Sequence, residues 1–263
     1  MKRMGRTAAI GLWVAGLWAA LPLAPALAQS AAGSASGVGA ATGSAPGGSA
    51  APQAPAQVPP AGSAAVALPD LSSDVIADRV QAFYDGAKTF QAQFSQRYTI
   101  FAYNKKKESQ GRVAFVKPGK MSWRYTSNGN RVVSDGKLLK VYDADSKQVY
   151  EQDMSKSAYP AALSFLLGEG KLKASFTLKK LSAETAAFKG GYVLVATPRE
   201  PTPAYQKMML YVDGKTFQVR RVLMIDAQKN KNVFDFSDPV VNVPVPPSEF
   251  QFSAPAGTQV IKP

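Results

Sequence analysis

The sequence predicts a mainly β, α+β fold: a single domain on one strongly curved antiparallel sheet of about eleven strands, with two or three helices on its concave side. Three observations predict it. Apolar and polar residues alternate with a period of two from Phe90 onward. Turn signals then separate one short apolar segment from the next as far as Phe252. Helical spacing occurs just before Phe90 and once more between Pro160 and Gly168.

The first 28 residues carry Lys2, Arg3 and Arg6, an apolar run from Ala8 to Leu21, and Ala26-Leu27-Ala28 before Gln29. That order of charge, apolar stretch and small residues predicts a secretory signal peptide over 1–28, cleaved on export to the periplasm. From Gln29 to about Pro69 the chain is Ala, Gly, Ser, Pro and Gln with no charged residue. Such a segment buries too little apolar area to offset its ordering entropy, so 29–69 reads as a disordered leader. Residues 70–263 are then the right length for one domain.

Within that domain Ser72 or Ser73 is placed to cap a helix whose Ile76, Val80, Phe83 and Ala87 share one face, ending near Gly86. In Phe90–Ile100 the even positions are mostly apolar and the odd ones polar, which gives a strand one dry and one wet face. Gly111–Val116 follows, then the turn Lys117-Pro118-Gly119-Lys120, then the alternating Met121–Tyr125. Asn128-Gly129-Asn130, Ser134-Asp135-Gly136-Lys137 and Asp143-Ala144-Asp145-Ser146 divide strands around Val132, Leu139–Tyr142 and Gln148–Gln152. Pro160 and Gly168 bracket a short helix that is apolar on almost every side. Beyond it lie strands near Phe176–Leu181, Tyr192–Thr197, Gln206–Val212, Phe217–Ile225, Val233–Phe236 and Phe250–Phe252.

Composition removes whole function classes. The chain has no histidine and no cysteine, which excludes serine–histidine triads, thiol nucleophiles and histidine-ligated metals within it. Asp143 and Asp145 are a carboxylate pair, but they sit in a hairpin turn, where such residues serve the backbone. We therefore expect no enzyme, no cofactor and no metal. Without cysteine the chain is also not itself lipid-anchored and has no disulfide to lean on. Taking Lys2, Arg3 and Arg6 from the 31 basic residues leaves 28 against 18 acids. That excess suits an anionic membrane surface or an acidic protein; the basic residues are spread along strands rather than clustered with stacking aromatics, so nucleic acid is not expected.

The dry face of the early strands presents Phe90, Phe94, Met121, Trp123 and Tyr125, joined by Val141, Met208 and Leu210 from later strands and Leu163, Phe165 and Leu166 from the short helix. A large apolar surface without reactive groups points to the holding of something greasy, although each of these residues also reads as ordinary core. Which face of each strand is concave is left open by segments such as Val222-Leu223-Met224-Ile225, apolar on both sides.

Several stretches, in this order and spacing, resemble a known family. They are Phe90-Gln-Ala-Gln-Phe-Ser-Gln96, Gly111–Val116 followed by Lys117–Tyr125, Val133–Lys137 with Val141-Tyr142-Asp143, the Pro160–Gly168 helix, Leu210–Asp213, Phe234-Asp-Phe236 and the tail Phe250–Ile261. The chain is similar over residues 72–261 to the periplasmic outer-membrane lipoprotein carrier proteins, the LolA family.

The resemblance implies an unclosed antiparallel half-barrel with a helical lid over a hydrophobic cavity. It implies a carrier, working as a monomer, that takes acylated lipoproteins from an ATP-driven inner-membrane ABC transporter and hands them to an outer-membrane acceptor. It also implies a lid and transfer role for the basic residue before the turn proline, here Lys117 where the family commonly has arginine. Lysine keeps the charge without the planar fork, so the lock should be made differently. Two other readings share the apolar pocket: a lipid- or lipoprotein-sensing regulatory module, which would usually bring a second domain, and a carrier of phospholipid.

Overall fold

The computed structural model describes residues 68–154, 170–182, 185, 187–202 and 204–262. The expected signal peptide, the leader as far as residue 67, and the Pro160–Gly168 helix with Leu163, Phe165 and Leu166 lie outside the described residues.

Ser72 opens the first helix, α1 (Ser73–Gly86), its hydroxyl accepting the Val75 amide at 3.3 Å and so satisfying one of the orphan donors of the first turn. Ile76, Val80 and Tyr84, four residues apart, form the buried stripe; Phe83, expected on that face, is only half-buried. Burial of Ile76 and Val80 stabilises by roughly 1.5–3 kcal/mol each. The chain leading into α1 is already fixed: Leu68 packs against the core, the Tyr192 hydroxyl donates to the Pro69 carbonyl at 2.9 Å, and Lys180 pairs with Asp70.

Twelve strands follow: β1 (Thr89–Ile100), β2 (Lys105–Val116), β3 (Lys120–Tyr125), β4 (Arg131–Asp135), β5 (Leu138–Asp143), β6 (Gln148–Asp153), β7 (Phe176–Leu181), β8 (Gly191–Pro198), β9 (Lys207–Asp213), β10 (Val219–Ile225), β11 (Lys231–Val241) and β12 (Gln259–Ile261). They form one sheet in the order β12-β6-β5-β4-β3-β2-β1-β11-β10-β9-β8-β7, whose ends, β12 and β7, do not pair. Two meanders are therefore joined where β1 meets β11, with Phe94 opposite Phe236. All pairings are antiparallel except β12 on β6, which is parallel.

Turn chemistry behaves as its residue types dictate. Asp135 Oδ1 accepts the amides of Lys137 (2.8 Å) and Leu138 (2.9 Å), and Gly136 takes φ 99°. Asp143 Oδ1 accepts from Asp145 (3.0 Å), and Asp213 Oδ1 from Lys215 and Thr216. Asp143 thus spends its carboxylate on the backbone.

Three sequence expectations are corrected. Strand β2 begins at Lys105 rather than Gly111, because a polar run pairs as well as an apolar one when its partner strand is long. Phe217 belongs to a turn, at φ 60°, and β10 starts at Val219. Phe250–Phe252 is not a strand. Pro247–Phe250 is a 3-10 turn, and the last strand is Gln259–Ile261.

That C-terminal stretch covers the sheet face opposite α1. Ser122, alternating with the inward Met121 and Trp123, donates to Glu249 at 2.7 Å; Arg124 and Arg131 pair with the same carboxylate at 3.3 and 3.4 Å. The Arg131 side chain is 7% exposed and that of Glu249 26%. Burial alone would raise the Glu249 pKa, but the Ser122 hydroxyl and the two guanidinium charges outweigh it and hold the group below the ordinary carboxylate value. A carboxyl depressed on folding stabilises above its unfolded pKa, and that contribution disappears as pH falls through its folded value. Glu249→Gln is expected to cost about 1–2 kcal/mol at pH 7 and to flatten the loss of stability below about pH 4.3. Urea unfolding of both proteins across pH 3–7 checks it; parallel pH curves would refute the assignment.

Candidate apolar binding face

The inward side chains of ten strands, β1–β5 and β7–β11, merge with Ile76, Ala77, Val80 and Tyr84 of α1 into one apolar cluster. Alternation decides which residues arrive there: from β1 Phe90, Ala92 and Phe94, from β3 Met121, Trp123 and Tyr125, from β5 Leu139 and Val141, from β9 Met208, Leu210 and Val212. All eight expected lining residues within the described strands, Phe90, Phe94, Met121, Trp123, Tyr125, Val141, Met208 and Leu210, are buried in this cluster. The structure thus answers what the pattern left open: Val222 faces inward, and Leu223 lies on the other side.

Trp123 is the hub. Its ring lies 5.1 Å from Phe94, 5.5 Å from Phe234 and 5.9 Å from Phe115, each inclined edge to face. Phe94 also meets Tyr125 at 5.0 Å. Two polar contacts are buried with it: the Gln96 amide donates to Asn232 Oδ1 at 2.9 Å, and the Tyr84 hydroxyl accepts the Val219 amide at 3.1 Å. Desolvation raises the pKa of Tyr84 and of Tyr125, so both rings stay neutral.

Sequence reasoning missed Tyr84, Phe115, Phe176, Tyr205, Phe234 and Leu172 as members of this face. Phe115 was legible, since a β1–β2 hairpin sets it opposite Phe90. Phe234 was not, because its place depends on β11 finding β1 across more than a hundred residues.

Lys117 sits in the turn before β3, and its ammonium donates to the Tyr84 carbonyl and, at 3.4 Å, to that of Asp85. These are carbonyls of the last turn of α1, a helix with no basic residue of its own there. A cation from elsewhere in the chain therefore satisfies the negative end of the helix. Burial lowers the Lys117 pKa, opposed by Asp85 and assisted by Lys171. Around it Lys171 pairs with Asp85 at 2.9 Å, Lys173 with Asp78 at 2.6 Å, and Gln81 accepts the Leu172 amide at 2.8 Å. The polar contacts at the rim of this helix are exposed or half-buried and open at low cost, whereas Ile76, Val80 and Tyr84 on its inner side hold it by burial.

A face of this make-up offers apolar area and shape and no reactive group. No group of three or more Asp, Glu, His or Cys that could hold a metal ion occurs among the described residues, and none of their helices is long and apolar enough to cross a membrane.

An unclosed, nearly all-antiparallel sheet with one apolar face under a helix is a half-barrel β protein. Comparison with known proteins agrees. Residues 85–253 match the family model of the outer membrane lipoprotein carrier protein LolA. An outer-membrane lipoprotein carrier protein of Chromobacterium violaceum is 30% identical over 204 residues, covering 76% of this chain and 92% of its own. One from Methylibium petroleiphilum is 31% identical over 188 residues, covering 70% and 88%. Among solved structures, a LolA superfamily protein of Nitrosomonas europaea aligns over 70% of this chain and 99% of its own, at 16% identity and TM-score 0.40. The chain belongs to the LolA family of outer membrane lipoprotein carrier proteins. The matched relatives are described as outer-membrane lipoprotein carriers.

Proposed function

We propose that this protein is a periplasmic carrier that shelters the acyl chains of lipoproteins released from the inner membrane by an ABC transporter and delivers them to an outer-membrane acceptor. In this reading residues 1–28 direct export and are removed, and 29–69 lead into the cargo-binding domain. The observation that carries it is the continuous apolar face beneath a helix anchored by Lys117. Leaving an acyl chain in water costs roughly 0.8 kcal/mol per CH₂, so a chain of about sixteen carbons is worth on the order of 12 kcal/mol. A carrier must recover most of that and still let go. Methionines and aromatics without polar clamps meet both needs, and Met121 and Met208 supply the adaptable part. Acyl chains would enter as α1 and the Leu163, Phe165 and Leu166 segment lift, with Lys117 setting how readily α1 leaves.

The test is a release assay: proteoliposomes holding the transporter and a triacylated lipoprotein, ATP, and the purified carrier. A soluble one-to-one complex is expected. Lys117→Leu should cut onward transfer to acceptor membranes severalfold while destabilising the fold by only about 1 kcal/mol. Mass spectrometry that finds free phospholipid and no acylated polypeptide on the purified protein would replace this reading by phospholipid carriage. Unchanged transfer by the variant would remove Lys117 from the mechanism.

A further inference from the structure

The β1–β2 hairpin ends in a 3-10 turn, Phe101–Tyr103, closed by Asn104 in the left-handed region at φ 48°. Phe101 is 59% and Tyr103 75% exposed, more than any other large apolar side chain among the described residues. The tip is nonetheless fixed in place. The Phe101 amide donates to Asn230 Oδ1 at 3.0 Å, and the Asn230 side chain donates to Asp226 at 2.9 Å, which ties this tip to the β10–β11 turn. Two aromatic rings are therefore held out in water by a built contact.

Their surroundings are basic. Lys105, Lys106 and Lys107 follow at once and are exposed; Lys229 stands 5.5 Å from the Phe101 ring centroid, and Lys231 pairs in register with Thr99. The two nearby acids are committed, Glu108 to Arg97 at 2.9 Å and Asp226 to Asn230 at 2.8 and 2.9 Å.

We propose that this tip is a membrane-docking finger for anionic phospholipid bilayers, with Phe101 and Tyr103 entering the headgroup–acyl boundary and the lysines resting on lipid phosphates. Aromatic rings partition to that depth, and long lysine stems let the charge stay at the surface. Each lysine near an anionic surface is worth about fivefold in affinity. Two exposed rings offer far too little area for a stable protein interface, whereas a bilayer needs only a few inserted side chains plus charge. The finger is the β1–β2 tip braced by the β10–β11 turn, apart from the apolar face, and works whatever that face carries.

The test uses the chain from Gln29 onward, which contains every described element, with vesicles of phosphatidylcholine alone or with a quarter phosphatidylglycerol. Binding to the anionic vesicles only is expected. The pair Phe101→Ala with Tyr103→Ala should weaken it about tenfold, and Lys105→Gln, Lys106→Gln and Lys107→Gln together on the order of a hundredfold. Phe101→Trp should be quenched by brominated phosphatidylglycerol. The residues are exposed, so circular dichroism should show all variants folded. No vesicle binding, or binding indifferent to the aromatic pair, overturns the proposal. So does a dimer seen by sedimentation that the aromatic pair abolishes in the absence of vesicle binding, since the tip would then meet a second copy.

Discussion

Replacing Trp123 by alanine is expected to destabilise the protein by about 3–5 kcal/mol, lowering the melting temperature by roughly 10–15 °C. The side chain is 0% exposed and touches rings from three other strands: Phe94 on β1, Phe115 on β2 and Phe234 on β11. Removing it costs the transfer free energy of the indole and the dispersion contacts of every ring left around the hole. Trp123→Phe keeps most of that area and should cost less than half as much. Urea unfolding followed by circular dichroism measures both. The magnitude also bears on function: a rigidly packed hub gives the full loss, while a hub beside space that collapses or admits cargo gives much less. A loss under about 1 kcal/mol would show that Trp123 is not the keystone of the face.

Gly111→Val is expected to cost about 2–4 kcal/mol, as a backbone clash in a sheet interior does. Gly111 pairs with Tyr125 across β2 and β3, and a Cβ added there would lie 2.0 Å from the Arg124 carbonyl oxygen and 2.8 Å from its carbon. Both are backbone atoms, so no rotamer change relieves the contact and the strands must part at that end. The Phe94 ring, 3.0 Å from the same Cβ, would shift too. Gly191, whose Cβ would fall 2.1 Å from the Val212 oxygen, should respond likewise in the other meander. Gly86→Ala is the control. Nothing lies within 4 Å there, and its stability should change by no more than about 0.5 kcal/mol. Equal effects at Gly86 and Gly111 would show that general glycine entropy, not the close strand approach, governs these sites.

Trp123 and Gly111 also mark how far the chain could be read in advance. Trp123 was legible as an inward residue, because it alternates between Ser122 and Arg124 beside a Pro-Gly turn, and inward residues of a strand share one face. Its ring partner Phe234 was not, since nothing local in β11 names β1 as its neighbour. Gly111 read as the start of a strand. That it is an interior residue six positions into β2 follows only from pairing with Thr89–Ile100, which draws the polar Lys105–Gln110 into the ladder.

Lys117 shows the same division within one residue. Its place before the proline marked it in the sequence, and its charge was certain. The carbonyls it holds, on Tyr84 and Asp85, come from a helix more than thirty residues earlier, and only the packing of α1 over the sheet brings them within reach.

By itself, then, the sequence determined what local chemistry determines: the helix that Ser72 caps, the hairpins that Asp135, Asp143 and Asp213 turn, the two-residue rhythm, and an order of short motifs that fits one family. The tertiary structure alone decided that two meanders join through β1 and β11, that the last strand runs parallel to β6, and that Glu249 clamps the face away from α1. The reason is physical. Turns and strand faces are set by atoms a few residues apart, whereas joining the meanders requires closing a loop of more than a hundred residues, and only the burial gained by the whole apolar face offsets that entropy.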